Sequence, residues 1–332
     1  MTIHDVAKAS GVSITTVSRA LNGYPDVSKE TRQRVLEVAN RLNYRPSAVA
    51  RSLVMNRTKT VGLVVSDMTK YRLGHYFMYE VVNGIHDGLA DLGYDMTLVS
   101  TTTARQRLIS YLDFCTERRF DGVILMGIRL DDPYMREVVE APLPSVVLDV
   151  PLLSDHCGYV TTDNVYGAKL AVRHLIERGH RRIGMVNGHL QAAVSQDRLR
   201  GYREALQETG MVYDEKLVYE GDFTVEGGQA TTAAMLRDVP DVTAIFCASD
   251  LMAVGVLRFA HEQGIAVPSQ LAVMGFDDID LTEFVRPSLS TIHQDKFGMG
   301  EAAARMLVGM LEQGRQPEGR ILMPRLVARE TT

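Results

Sequence analysis

The spacing of apolar positions changes character twice along this chain, near residues 45 and 60. In the first stretch they recur at helical intervals. Val17, Ala20 and Leu21 fall at i, i+3 and i+4, and Val35, Val38, Ala39 and Leu42 at i, i+3, i+4 and i+7, each a single buried stripe. The residues between the stripes set helix ends. Thr2 precedes Asp5 by three residues, a capping-box spacing that opens a first helix, with Val6 and the small Ala7 facing inward. Gly11 allows the positive φ of a tight helix-to-helix turn, Val12 fills the space beneath it, and Ser13 suits the N-cap of the second helix. Asn22-Gly23-Tyr24-Pro25 reads as a turn, Ser28 as the cap of a third helix, and Asn43-Tyr44-Arg45-Pro46 as its stop.

From residue 60 short apolar runs alternate with amphipathic stretches. Residues 60–65, 94–99, 122–126 and 145–148 read as strands. Residues 77–92 read as a helix with Val81, Ile85, Leu89 and Leu92 on one face. The rhythm resumes at 182–186, 218–219, 244–247 and 272–275. Repeated β-α units predict parallel sheets covered on both faces by helices. Two runs of similar length predict two lobes, with the chain crossing near 160–163 and again near 290. The fold class is an all-α helix-turn-helix head plus an α/β body.

The second helix leaves Ile14, Thr15, Thr16, Ser18, Arg19 and Asn22 off its apolar stripe, a face of methyls and hydrogen-bonding groups without an acid. An ordinary helical hairpin is the alternative, but turn chemistry, caps and face agree on a helix-turn-helix whose second helix suits the major groove. Charge supports this. The whole chain carries −5, yet residues up to Lys59 hold ten basic and four acidic side chains, net +6, against 26 basic and 37 acidic beyond, net −11. A basic head on an acidic body is the footprint of a DNA-binding module joined to something else.

Residues 46–54, Pro46-Ser47-Ala48-Val49-Ala50-Arg51-Ser52-Leu53-Val54, are small and open with proline. They are either a plain linker or a hinge helix, too short to persist alone, that pairs with its twin in the minor groove. There Ala50 would allow close packing, and Leu53 would wedge into a base step.

Asp5-Val6-Ala7, Gly11-Val12-Ser13, Thr16-Val17-Ser18-Arg19, Asn43-Tyr44-Arg45-Pro46, residues 48–53 and the terminal Leu326-Val327-Ala328-Arg329-Glu330-Thr331 together resemble the lactose/galactose-repressor (LacI/GalR) family along the full chain. The resemblance implies a two-lobed, periplasmic-binding-protein-like body with a ligand cleft. It places Ile14, Thr15 and Arg19 at base-reading positions and Leu53 as an intercalating leucine. It maps Arg198, Phe223, Asp277 and the Ser249-Asp250 pair, where the family often has Asn-Asp, onto effector-binding positions. Arg19 can bond guanine O6 and N7 together, Ile14 can touch a thymine methyl, and Thr16, Ser18 and Asn22 suit phosphates or helix orientation.

Ligands of open α/β sheets sit beyond the C-terminal ends of strands. Asp149, Asp163, Ser249-Asp250 and Asp277 each directly follow an apolar run. With the fork of Arg198 and the ring of Phe223, they offer what a polyhydroxylated ring needs. Each aspartate taken singly fits a helix N-cap or a surface loop equally well. Tyr71, His75 and Phe77 lie in a stretch that departs from the family's Asn-Pro-Phe pattern, and either wall the pocket or form surface loop.

The three cysteines are far apart and without CxxC spacing, so reduced thiols and no metal site are expected. No phosphate loop, dinucleotide fingerprint, zinc-protease or nucleophile-elbow motif occurs, and no catalytic residue or cofactor is expected. Neither a membrane span nor a signal peptide is read. The expectation is a cytoplasmic, homodimeric repressor of sugar-utilisation genes that binds pseudo-palindromic operator DNA and is released by a sugar inducer. A dimer rather than a tetramer is expected because no leucine heptad follows the family core. Rival readings are a purine- or phosphometabolite-dependent corepressor, a transport protein, and an enzyme with a DNA-binding head. The expected domains are 1–45 (head), 46–59 (hinge and linker) and 60–332 (body). Lobe 1 is expected at about 60–160 and 291–323, and lobe 2 at about 162–289 and 324–332.

Overall fold

A computed structural model describes residues 1–45, 57–66, 75–101, 108 and 110–332, with the side chains of His75 and Thr101 outside the description. The expectations for the hinge, including Ala50 and Leu53, and for Tyr71 and the His75 side chain therefore lie outside the described residues. Two units result, Met1–Lys59 and Thr60–Thr332.

The first unit is three helices, α1 (Ile3–Ser10), α2 (Ile14–Leu21) and α3 (Lys29–Arg41). Asp5 accepts from the Thr2 N–H at 2.8 Å, closing the start of α1. Gly11 ends α1 at φ 68°. Ser13 and Ser28 accept from the N–H groups of Thr16 and Thr31, at 3.1 and 3.2 Å, and so cap α2 and α3. Val6, Ala7, Val17, Ala20, Val35, Val38 and Ala39 close one small core.

The second unit runs β1 (Thr60–Ser66), α4 (His75–Asp91), β2 (Asp95–Thr101), α5 (Tyr111–Glu117), β3 (Gly122–Met126), α6 (Met135–Glu140), β4 (Ser145–Leu148) and β5 (Cys157–Thr162). It continues through α7 (Asn164–Glu177), β6 (Ile183–Asn187), α8 (Ala193–Glu208), β7 (Val218–Glu220), α9 (Val225–Asp238), β8 (Ala244–Cys247), α10 (Asp250–Glu262) and β9 (Ala272–Met274). It ends with α11 (Leu281–Phe284), β10 (Thr291–His293), α12 (Lys296–Gln313), β11 (Gly319–Leu322) and β12 (Arg325–Val327). One sheet has the order β11-β5-β4-β3-β1-β2 and the other β7-β6-β8-β9, parallel throughout, while β10 and β12 pair antiparallel.

The chain passes between the lobes three times: after β5, between β10 and α12, and between β11 and β12. The second passage falls later than the expected position near 290. Ile292 on β10 is wholly buried in the core of the second lobe, so β10 belongs there and α12 begins the return. In lobe 1, α12 lies against α4 so closely that a Cβ on Gly84 would strike the Phe297 carbonyl, and one on Gly300 the Val81 carbonyl. Two expected boundaries shift for packing reasons. Tyr94 is a core residue rather than the start of β2, its hydroxyl donating to Glu312 at 2.7 Å. Leu92, placed on the buried face of the helix by periodicity, lies just past its end and is 36% exposed.

Candidate functional site

The head presents α2. Ile14 (39% exposed), Thr15 and Arg19 are open to solvent. Thr16, Ser18 and Asn22 are half-buried, which narrows the expected six-residue face. Thr16 stands one turn into the helix, where its N–H and hydroxyl both engage the Ser13 hydroxyl, the latter at 2.8 Å. Asn22 donates to the Ser18 hydroxyl at 3.4 Å. Arg19 reaches Asp26, in the loop after α2, at 2.6 Å, a pairing that helical periodicity does not reveal.

In the body, a cavity of about 260 Å³ lies at the C-terminal ends of the strands of both sheets. Lobe 1 lines it with Ser66 at the end of β1, residues 126–129 around the end of β3, residues 148–150 around the end of β4, and Phe77 and Met78 from α4. The second lobe contributes His189 and residues 192–194 after β6, Arg198 from α8, Phe223, Ser249, Leu251 and Asp277.

Arg198 is the charged centre. It is 4% exposed, donates through Nε to Asn164 at 2.8 Å and through Nη1 to the Ala248 carbonyl, and lies 3.7 Å from Asp277. Its guanidinium stacks on Phe276, 3.8 Å from the ring centre. Burial lowers its pKa, and the facing carboxylates of Asp277 and Asp149 oppose that; an arginine stays charged even so. Asp149 accepts from the Thr161 hydroxyl at 3.1 Å. Burial raises its pKa against the pull of Arg198 and Thr161. Burial likewise pushes Asp277 up to about 6, against Arg198, Lys296 and Gln294. The site thus holds the buried Arg198 cation beside two carboxyls that ionise reluctantly.

Several of these side chains stand on left-handed backbone. Asp277 has φ 123°, Asp278 54°, Asp149 61°, Asp222 52° and Phe223 58°. Such conformations cost about 1–3 kcal/mol each and persist only where neighbours fix them. Around Asp277 the fixing is visible: its N–H donates to the Ile292 carbonyl at 2.9 Å, and Gln294 donates to its carboxylate at 2.7 Å. The Phe223 ring lies where a Cβ on Gly188 would be. It also meets the His189 ring, centres 5.6 Å apart and nearly perpendicular.

Of the residues read from sequence, Phe77, Asp149, Arg198, Phe223, Ser249 and Asp277 line this cavity. Asp250 and Asp163 do not. Asp250 is wholly buried one layer behind, where its carboxylate accepts from the Thr291 hydroxyl and from the Ile279 N–H at 3.0 Å. It pins the 276–279 loop instead of facing a ligand. Asp163 accepts from the Tyr166 N–H at 2.9 Å and caps α7. Sequence reasoning missed His189, Arg129 and the apolar wall of Met126, Ile128 and Val194. Met126, Ile128, Arg129 and His189 lie at or within three residues of a strand end and Val194 in the first turn of α8; the apolar ones read as continued core, and no local signal separates Arg129 and His189 from surface loop.

A basic three-helix head joined to a two-lobed binding-protein body defines the class of effector-controlled DNA-binding regulators. The comparisons agree. Residues 2–47 match the model of bacterial regulatory proteins of the lacI family, and residues 172–332 that of periplasmic binding protein-like domains. The chain is 35% identical to the HTH-type transcriptional repressor PurR of Actinobacillus pleuropneumoniae and 37% identical to the HTH-type transcriptional regulator CelR of Thermobifida fusca. Each match spans 99% of this chain and 98% of the relative. Among solved structures it is similar to a CelR–cellobiose complex (34% identity, TM-score 0.77, all of both chains). It is also similar to a lac repressor dimer bound to operator and the anti-inducer ONPF (27% identity, TM-score 0.83, 100% of this chain and 99% of that one). The chain belongs to the LacI family and is a transcriptional repressor with a DNA-binding head and a ligand-binding body.

Proposed function

We infer that the effector is a sugar, that it releases the repressor from operators of sugar-utilisation genes, and that the chain works as a cytoplasmic homodimer on pseudo-palindromic DNA, without enzymatic activity. One observation carries the sugar reading. Arg198, Asp149 and Asp277 converge on a cavity that also holds the rings of Phe77 and Phe223. Hydroxyls need such donors and acceptors, and the C–H face of a pyranose needs an apolar ring. The cellobiose held by the similar CelR structure makes that disaccharide the first probe. Among the described residues no helix is long and apolar enough to cross a membrane.

On the head, Ile14, Thr15 and Arg19 read bases, and Thr16, Ser18 and Asn22 hold the helix in register. Effector and operator are coupled through the two lobes, and such couplings are typically about 1–3 kcal/mol. Calorimetry with a panel of sugars, cellobiose first, and a panel of nucleobases tests the reading. A sugar should bind once per protomer and loosen operator DNA. Binding of a nucleobase in preference, or tighter DNA binding with sugar, would overturn it.

A further inference from the structure

On its open face α2 carries a single cation, Arg19, and no acid, yet an acid reaches that face from the loop. After α2 ends, Gly23 takes φ 77° and turns the chain back, so that the Tyr24 N–H donates to the Arg19 carbonyl at 3.0 Å. Pro25 restricts Tyr24 to extended backbone. The Val27 N–H and the Arg32 side chain of α3 both donate to the Tyr24 carbonyl. Pinned in this way, the loop sets the Tyr24 ring 4.9 Å from the Arg19 guanidinium carbon and the Asp26 carboxylate 2.6 Å from Nη2. The two paired side chains are 44% and 52% exposed, so the pair stabilises the fold little. What it fixes is the direction of the guanidinium.

We propose that Asp26 determines DNA specificity by holding Arg19 for a base edge and withholding it from phosphates. This rests on the reading of Arg19 as a base-contacting residue. A free arginine is a good phosphate ligand, and phosphate contacts carry no sequence information. Paired with Asp26, its charge is locally cancelled, so the attraction of the DNA backbone falls. A guanidinium has five N–H donors. The Asp26 carboxylate lies against Nη2 alone, which leaves the Nε and Nη1 donors for the O6 and N7 of a guanine, a pair that calls for a fork aligned in the base plane. The ring of Tyr24, 4.9 Å from the guanidinium carbon, adds a cation–π contact.

The test uses the full-length protein and a duplex that the wild type selects from a random library. Affinities for the selected duplex and for an unrelated duplex of equal length are measured across a salt series for Asp26→Ala, Asp26→Asn, Arg19→Ala and the double variant. For Asp26→Ala we expect tighter binding to unrelated DNA, about threefold per head and so roughly tenfold for a dimer, with no gain on the selected duplex. The log–log salt slope on unrelated DNA should steepen by about one per head as Arg19 takes a phosphate. Asp26→Asn, equal in shape, should fall between, which separates charge from folding. In the Arg19→Ala background, removing Asp26 should change nothing.

Equal gains on both duplexes, or a gain that persists without Arg19, would make Asp26 a general repulsive charge and overturn the proposal, as would no change at all. If Arg19→Ala keeps the wild-type preference, the base-reading assignment of Arg19 fails as well. If Arg19→Ala relaxes the preference while the Asp26 variants leave it intact, only the proposal falls.

Discussion

Lys296 donates to the main-chain carbonyl of Asp277 at 2.8 Å, although it stands on the first turn of α12 and is 2% exposed. Its ammonium also meets the Asp278 carbonyl at 2.9 Å and the Glu80 carboxylate of α4 at 3.3 Å. A cation at a helix N-terminus opposes the helix dipole, so these acceptors must outweigh that cost. They lie on both sides of the passage between lobes, and one of them carries a cavity carboxylate.

Lys296→Met should therefore destabilise the body by about 2–3 kcal/mol, since it strips a charged donor from the buried Asp277 carbonyl and the half-buried Asp278 carbonyl. It should also weaken sugar binding by freeing the Asp277 backbone. Urea unfolding and calorimetry would check both, and Lys296→Arg should recover part of the loss.

Asp277 gives a pH signature. Its folded pKa, about 6, lies above the unfolded value near 3.9. The folded chain therefore binds the extra proton between those limits, and this contribution to stability falls as pH rises from about 4 to about 6 and is flat beyond. The difference corresponds to about 3 kcal/mol. Asp277→Asn should flatten that part of the stability–pH curve relative to wild type and be no less stable at pH 7. Unfolding free energies of the two proteins across pH 4–7 decide it.

Phe223→Ala should lower affinity for cellobiose, or for whichever sugar the panel identifies, by tenfold or more, because it removes the stacking face on the second lobe. Operator affinity without sugar should stay within about twofold, as the ring belongs to the effector cavity and not to the DNA-binding head. Calorimetry and a gel-shift titration give the two numbers.

Gly84→Ala tests the α4–α12 contact. A methyl there meets the backbone of Phe297, which cannot rotate away, so the helices must separate. Overpacking of this kind costs about 1–3 kcal/mol, read as a lower thermal midpoint of the body. An unchanged midpoint would mean that the helices part freely.

The head was almost wholly legible in the sequence, because caps, turn and apolar stripes are local signals. The Arg19–Asp26 pair was not legible there: the two residues are seven apart, but α2 ends at Leu21 and a turn, not a helix, brings Asp26 back. The β-α body was legible in rhythm but not in β10, β11 and β12. β11 is exposed along nearly its whole length and offers no alternation to read, and β10 and β12 are three residues each.

The strand-end rule for the cavity found Asp149, Ser249 and Asp277 but also Asp163 and Asp250. In a β-α unit the strand end adjoins the next helix start, so cap residues and cavity residues share one position. Asp163 and Ser249 both cap helices, yet only Ser249 also faces the cavity. Apolar wall residues such as Met126 and Val194 are invisible to the rule, because after a strand they look like more core.

The left-handed backbone beneath Asp149, Phe223 and Asp277 has a consequence for how such a repressor diverges. Those positions admit few replacements, since most side chains would add to the strain already there. A lineage acquiring a new inducer would have to change elsewhere first. Val194 stands on an ordinary helix, and Met126 ends an ordinary strand. Selection for altered inducer preference should therefore collect substitutions at these wall positions and leave the polar anchors in place.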